Sequence, residues 1–344
     1  MGVHGLLSQR RPNVTLVAVC SFGLSALAIG GCAASTDGPT LELREVGEVI
    51  LEERDSVVNA HVRLRPFGGD ELVVADPVEG KIRVYDQQGG LLRQFGRKGE
   101  GPGEFMLPLA AARVDSAIWA LDFQRGLSKW SFPEGRLVDT WEPAVEVSLG
   151  LLPLGDSLLV IGGFTPYETP WRLLRILDPR RHAVLDPFFE LEVPVERRSL
   201  AMAFQPGVPM DLLEDGSLIA VFSWSDTARV FTLPEGQLRE SLPLRIPGFT
   251  YEGNVPDPAT RARLKLVTAI HAVPEDRLLV QYTIYTEPDE QHGLLLQTLG
   301  GDLLFEQFPS ERLLGERWPD LYFADPSGLR PERILVQRLV PGEG

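Results

Sequence analysis

Beyond residue 40 the chain alternates short apolar runs with polar turns. No stretch of 11 to 18 residues there keeps a convincing 3.6-residue period. Six runs recur: Glu71–Asp76, Ala117–Asp122, Ser157–Ile161, Ser217–Phe222, Arg277–Tyr282 and Asp320–Asp325. The Leu or Ile near each start falls at 72, 118, 158, 218, 278 and 321, giving intervals of 46, 40, 60, 60 and 43 residues. A four-stranded propeller blade takes ~40–50 residues, so the two longer intervals imply inserted loops. Most runs are followed by an alternating strand, a tight turn and another strand. The turns are Asp86–Gly90, Pro133–Gly135, Asp178–Arg181, Pro234–Gly236 and Gly300–Asp302. Pro presets φ and Gly supplies φ > 0, which makes them hairpin signals. Ser131-Phe-Pro-Glu-Gly-Arg-Leu137 and Thr232-Leu-Pro-Glu-Gly-Gln-Leu238 are near copies, and Ala75-Asp76-Pro77 matches Ala324-Asp325-Pro326. The nearest candidate for a helix is Pro258–Val267, with Asp257 as N-cap.

This pattern predicts an all-β fold over 41–344: a six-bladed β-propeller of four-stranded antiparallel blades. The last unit holds Asp320–Asp325 and Ile334–Val340 but lacks an outer strand, while the strand-like run Leu41–Leu51 belongs to no unit. Pairing the two closes the ring. An open ring would leave two strand edges able to template aggregation.

The N-terminus follows a different pattern. Arg10 and Arg11 precede an apolar run, Val14 to Ile29, that is short and broken by Ser21, Gly23 and Ser25. Basic start, apolar middle and small-residue end make residues 1–31 a secretory signal, since a run of this length falls short of a comfortable membrane span. The end, Ile29-Gly30-Gly31-Cys32, has small side chains beside the scissile bond and a thiol able to accept diacylglycerol. Cys20 follows Val17-Ala18-Val19 and fits such a cut poorly. Residues 32–40 then form a lipidated cysteine and a small polar tether. With Cys20 removed and Cys32 acylated, the mature chain keeps no thiol for a disulfide, a zinc site or a redox pair. Ala33, not Asp, follows the cysteine, which by analogy with lipoprotein sorting points to the outer membrane. The expected location is a bacterial membrane surface facing the periplasm or the exterior.

Charge narrows the partners. The net charge is −15, and with no acid in the first 31 residues the remainder carries 31 basic against 48 acidic residues. Such a surface repels phosphate backbones and anionic headgroups, so nucleic acid is excluded as a partner and membrane contact has to come through the anchor. Lysine occurs only at 81, 98, 129 and 265, a codon bias rather than a function.

The segment Phe95-Gly96-Arg97-Lys98-Gly99-Glu100-Gly101-Pro102-Gly103-Glu104-Phe105, followed by Pro108 and Ile118–Asp122, resembles an NHL repeat: a Gly-rich loop ending in an aromatic, a proline, then a strand ending in Asp. As a whole the chain is similar to bacterial six-bladed β-propeller lipoproteins with NHL-like repeats. The later blades match in strand and turn rhythm but lack the Gly-rich junction. The resemblance implies the fold and leaves the activity open, because propellers host many functions.

Few residues carry chemistry. Gly96 to Gly103 lacks the Lys-Ser or Lys-Thr pair and the helix of a nucleotide loop, and reads instead as a close crossing at a blade junction. Asp76, Asp122 and Asp325 end equivalent strands, where Asp side chains bond turn amides. No Asp-rich calcium loop is present. No metal ligands are therefore assigned and no cofactor is expected, calcium near the axis being the one exception the fold allows. His61, His182, His271 and His292 form no spaced pair, and no Gly-x-Ser-x-Gly elbow occurs. His61 and His271 fall in stretches expected to be innermost strands. For an enzyme, a lyase or hydrolase at the channel, Arg63, Arg113 and His271 are the catalytic candidates. The aromatics Phe164, Tyr167, Trp171, Trp224 and Tyr285 are the candidates for a ligand-binding loop. The preferred function is a non-catalytic, monomeric recognition module for a protein, peptide or glycan. A channel enzyme and channel binding of a small ligand or calcium without turnover are the alternatives.

Overall fold

The computed structural model describes residues 41–53, 65–67, 71–143, 147–164, 168–192, 207–249, 265–286, 289–327 and 330–342. Among these there is no helix, and the chain folds as a six-bladed β-propeller. The strand β1 (Leu41–Ile50) stands apart at first. Blade 1 is β2 (Arg65–Phe67), β3 (Glu71–Asp76), β4 (Lys81–Asp86) and β5 (Leu91–Phe95); blade 2 is β6 (Pro108–Val114), β7 (Ala117–Asp122), β8 (Gly126–Ser131) and β9 (Leu137–Trp141). Blade 3 runs β10 (Val147–Leu154), β11 (Leu158–Phe164) and β12 (Trp171–Asp178). Its outer strand is split into β13 (Ala183–Val184) and β14 (Phe188–Leu191), both paired with β12. Blade 4 is β15 (Met210–Leu212), β16 (Leu218–Val221), β17 (Thr227–Thr232) and β18 (Gln237–Pro243). Blade 5 is β19 (Lys265–Val273), β20 (Arg277–Thr286), β21 (Asp289–Thr298) and β22 (Leu303–Gln307). Blade 6 is β23 (Leu313–Arg317), β24 (Asp320–Ala324) and β25 (Arg333–Pro341), and β1 completes it.

The six apolar runs are the second strands of the six blades, and the five predicted turns join third to fourth strands. The second strands read as continuous apolar stretches because each is covered on both faces. All six residues of β7 are buried. The core is accordingly six apolar layers between adjacent blades. Val73, Ile82 and Phe95 of blade 1 meet Ile118, Ala120 and Trp130 of blade 2, and Leu294, Leu296 and Phe305 of blade 5 meet Leu313, Leu321 and Phe323 of blade 6.

The ring closes as the sequence predicts. β1 pairs antiparallel with β25 from Leu41↔Pro341 to Ile50↔Arg333, with one bulge between Glu45 and Gly47. The chain then passes to blade 1, where Glu52 N donates to Gly89 O at 2.8 Å and Leu51 is buried between blades 6 and 1. Of the predicted helix, residues 258–264 lie outside the described residues. Lys265–Val267 begin β19, because Val267 is drawn into the layer between blades 4 and 5.

Repeated aspartates fix the strand ends. Asp76 Oδ1 accepts from Val78 N at 3.0 Å and Glu79 N at 2.9 Å, Asp122 Oδ1 from Gln124 N at 2.9 Å, and Asp325 Oδ1 from Ser327 N at 2.8 Å. Two of the three also pair with an arginine on the next strand: Asp76 with Arg83, both buried, and Asp325 with Arg333 at 3.0 Å. The Gly-rich segment is a blade junction. A Cβ on Gly96 (φ +80°) would lie 2.2 Å from the Phe105 ring, and one on Gly80 (φ +63°) 2.6 Å from Lys98 Cα. Glycine is what lets these backbones meet.

Candidate functional site

First strands of neighbouring blades pack together at β6–β10, β10–β15, β15–β19 and β23–β2, as the innermost strands around a central channel do. On β19, a bulge between Val267 and Ala269 releases Thr268 from the ladder, while Val267, Ile270 and Val273 stay in the apolar layers. His271 is left on the channel side. Its Nδ1 lies 3.9 Å from Asp211 Oδ2 of β15 and 3.9 Å from Glu316 Oε1 of β23. One donor atom from each of the three residues lies within 4.8 Å of the other two. Backbone amides orient both carboxylates: Ala272 N donates to Asp211 Oδ2 at 3.0 Å, and Trp318 N to Glu316 Oε2 at 2.7 Å. Burial pushes the Glu316 carboxyl up to about 7; the Trp318 amide opposes this and the Asp211 charge adds to it.

Beside this cluster lies a cavity of about 210 Å³, bounded by Met210 of blade 4, His271 and strands β20 and β21 of blade 5, and Arg312 to Leu314 of blade 6. Its wall is unusual because the middle strand of blade 5 carries two buried polar residues, Gln281 (1% exposed) and Thr283 (2%). Thr268 Oγ1 donates to both the backbone and the side-chain oxygen of Gln281, at 3.3 Å each. Gln281 Nε2 is buried with no hydrogen-bond partner among the described residues. Turning the amide over would only strand the oxygen instead, since Thr268 supplies a single hydroxyl. Thr283 Oγ1 lies 3.1 Å from His292 Nδ1. Burial lowers the pKa of His292, favouring its neutral form, and raises that of Tyr285. Arg312 is also desolvated, which lowers its pKa. Glu290 opposes that shift by its charge, and no carboxylate lies within ion-pair distance of Arg312 among the described residues. The cavity thus carries several buried donors on its wall, with the exposed Glu290 carboxylate as its one acidic lining residue among the described residues.

The predicted site residues divide. His271 and Tyr285 line the cavity. Arg113 does not join them: it sits on β6 in blade 2, across the ring from blade 5, with Nη1 3.3 Å from Glu71 Oε2 and its guanidinium 4.8 Å over Phe132. Trp171 (0% exposed) and Trp224 (1%) are core residues between blades 3 and 4: Trp171 opens β12, and Trp224 sits in the turn between β16 and β17 with its ring folded inward. Trp224 packs edge-on against Phe222 at 5.5 Å. Burying such large apolar rings in the layer outweighs leaving them on a loop. Phe164 ends β11, and Cys32, His61, Arg63 and Tyr167 lie outside the described residues. His182 is a surface group, stacked on Trp141 at 5.3 Å and bonded to Asp139 at 2.7 Å. A larger groove, about 370 Å³, follows the Gly-rich loop of blade 2. There the Glu104 carboxylate already accepts from Gly101 N and Arg97 Nε, each at 2.7 Å.

Gln281, Thr283, Arg312, Asp211 and Glu316 were not singled out in the sequence. The signal for the first two was present: polar residues inside an apolar run that both faces of a sheet cover. The others carry no local signal, because only the ring brings blades 4, 5 and 6 together.

No family model matches the chain, and no curated protein matches it. Among solved structures it is similar to a Bacteroides fragilis protein named as exported, at 15% identity and a TM-score of 0.60, covering 90% of this chain and 98% of that one. It is also similar to a member of the DUF4221 family from Bacteroides vulgatus, at 10% identity and a TM-score of 0.60, covering 89% and 99%. At these identities the likeness is one of fold.

Proposed function

We propose that the chain is an exported, lipid-anchored propeller acting as a non-catalytic recognition module, whose ligand presents a hydrogen-bond acceptor, best a carboxylate, to the cavity beside Thr268, Gln281 and Arg312. One observation carries the reading. The Gln281 amide is almost fully buried, with one of its two polar atoms unmatched among the described residues. Leaving such a group unpaired costs about 1–3 kcal/mol, and a ligand acceptor would recover it once the side chain turns its buried Nε2 toward the cavity. The desolvated Arg312 guanidinium makes the preferred acceptor an anionic one.

The size of the cavity limits what enters. Its volume equals that of roughly seven waters, enough for an acidic sugar or a peptide terminus but for no folded surface. A protein, peptide or glycan partner would therefore be engaged through an end group. The Ile29–Cys32 pattern and the fold likeness to a protein named as exported support a place at a membrane surface outside the cytoplasm. The Gly-rich junction of blade 2 supports kinship with NHL-like propellers.

The test is calorimetric titration of the full chain, in detergent, with a panel of sugar acids and short peptides with free C-termini. Gln281→Met and Arg312→Met are run alongside. Binding that each variant weakens by about tenfold or more, roughly 1.4 kcal/mol, supports the reading. No binding across the panel, or binding that neither variant weakens, overturns it. Radiolabelled lipid incorporated by the wild type and not by Cys32→Ser checks the anchor.

A further inference from the structure

The Asp211–His271–Glu316 cluster is not needed for the cavity ligand, and its geometry calls for a separate explanation. His271 Nδ1 stands 3.9 Å from each carboxylate, too far for a hydrogen bond. Yet three innermost strands from three blades aim these groups at one point. We propose that Asp211, His271 and Glu316 bind one divalent first-row transition ion, zinc foremost, at the channel.

Two donors each ~2.0–2.2 Å from a single ion stand ~3.4 Å apart in tetrahedral geometry. The two 3.9 Å separations from His271 reach that with a contraction of a few tenths of an ångström, and the Asp211–Glu316 separation, within 4.8 Å, with a rotation of the carboxylates. An imidazole beside two carboxylates is a borderline donor set that suits zinc or manganese, whereas calcium takes oxygen ligands. The outer shell is already in place. The Trp318 amide holds Glu316 Oε2, leaving Oε1 turned toward His271, and the Ala272 amide holds Asp211 Oδ2. Such bonds orient metal ligands. No arginine or lysine pairs with Glu316 among the described residues. Three protein donors leave a coordination position open, as catalytic and ligand-binding zinc sites do. That position would face the channel close to the cavity.

The test uses the full chain in detergent, stripped with chelator and dialysed against zinc, with metal counted by mass spectrometry and affinity measured by calorimetry. The expected result is one zinc per chain, with His271→Ala and Glu316→Gln each losing tenfold or more in affinity and the surface variant His182→Ala losing none. Glu316→Gln keeps the side-chain volume, and its melting curve without metal shows whether it is folded. Cobalt substituted for zinc provides a second readout: visible bands of a four- or five-coordinate ion in the wild type, lost in His271→Ala. Failure to retain stoichiometric metal overturns the proposal. So does zinc binding that neither variant weakens, or a site that prefers calcium and ignores His271→Ala.

Discussion

Gln281→Met tests the central argument at its most exposed point, because it should make the ligand-free protein more stable and the binding site worse. The amide is 1% exposed and one of its polar atoms has no partner among the described residues. Methionine keeps the length of the side chain and removes the orphan, recovering part of a penalty of about 1–3 kcal/mol. What is lost is one 3.3 Å bond from Thr268 Oγ1, whose hydroxyl keeps the Gln281 backbone oxygen, also at 3.3 Å. The net expectation is a gain of about 1 kcal/mol, which for a domain of this size raises Tm by roughly 2 °C. Urea unfolding without ligand measures it, with an unchanged slope showing that the two states compared are the same. A loss of about 1 kcal/mol or more would mean that the amide is satisfied in the folded protein, and the case for an acceptor-bearing ligand would fall with it.

Four other outcomes follow from the packing. Arg83→Met removes the buried guanidinium that faces the buried Asp76 carboxylate and should cost about 3–5 kcal/mol in urea unfolding. Trp171→Ala opens a hole between blades 3 and 4, costing about 3–5 kcal/mol; calorimetry should find ligand affinity unchanged, since Trp171 does not line the cavity. Gly96→Ala drives a Cβ into the Phe105 ring at a positive φ and should cost about 1–3 kcal/mol in the same unfolding assay. Removing residues 41–50 bares the edge of β25, and light scattering on a sizing column should show a larger mean mass per particle than for the intact chain.

The fold was legible because a propeller repeats itself. A second strand covered on both faces becomes an unbroken apolar run, and the hairpin after the third strand announces itself with Pro or Gly, so register and blade count follow from spacing. Ring closure was legible by subtraction, from a strand without a unit and a unit without a strand. The site was less so. His271 was reachable because its stretch reads as an innermost strand; Tyr285, named for a binding loop, reaches the cavity instead from β20. Trp171 and Trp224 misled because an aromatic in a long interval looks like an exposed loop residue, whereas Trp171 opens β12 and Trp224, though in a turn, folds its ring into the layer. Arg113 misled because residues on equivalent strands are spread around a circle, and equivalence in the repeat is not proximity.

The contact that closes the ring joins residues far apart in the chain: Arg333 Nε bonds Glu48 Oε2 at 2.6 Å across 285 positions. A chain delivered N-terminus first therefore presents β1 long before its partner β25 exists. Throughout that interval ten residues of unpaired strand wait in the open, and the layer holding Val49 and Leu51 lacks Ile334. Assembly is governed by this last pairing, whose loop-closure entropy makes it slow. Any partner able to occupy β1 in the meantime, whether a chaperone or another copy's β25, competes directly with the completion of the circle.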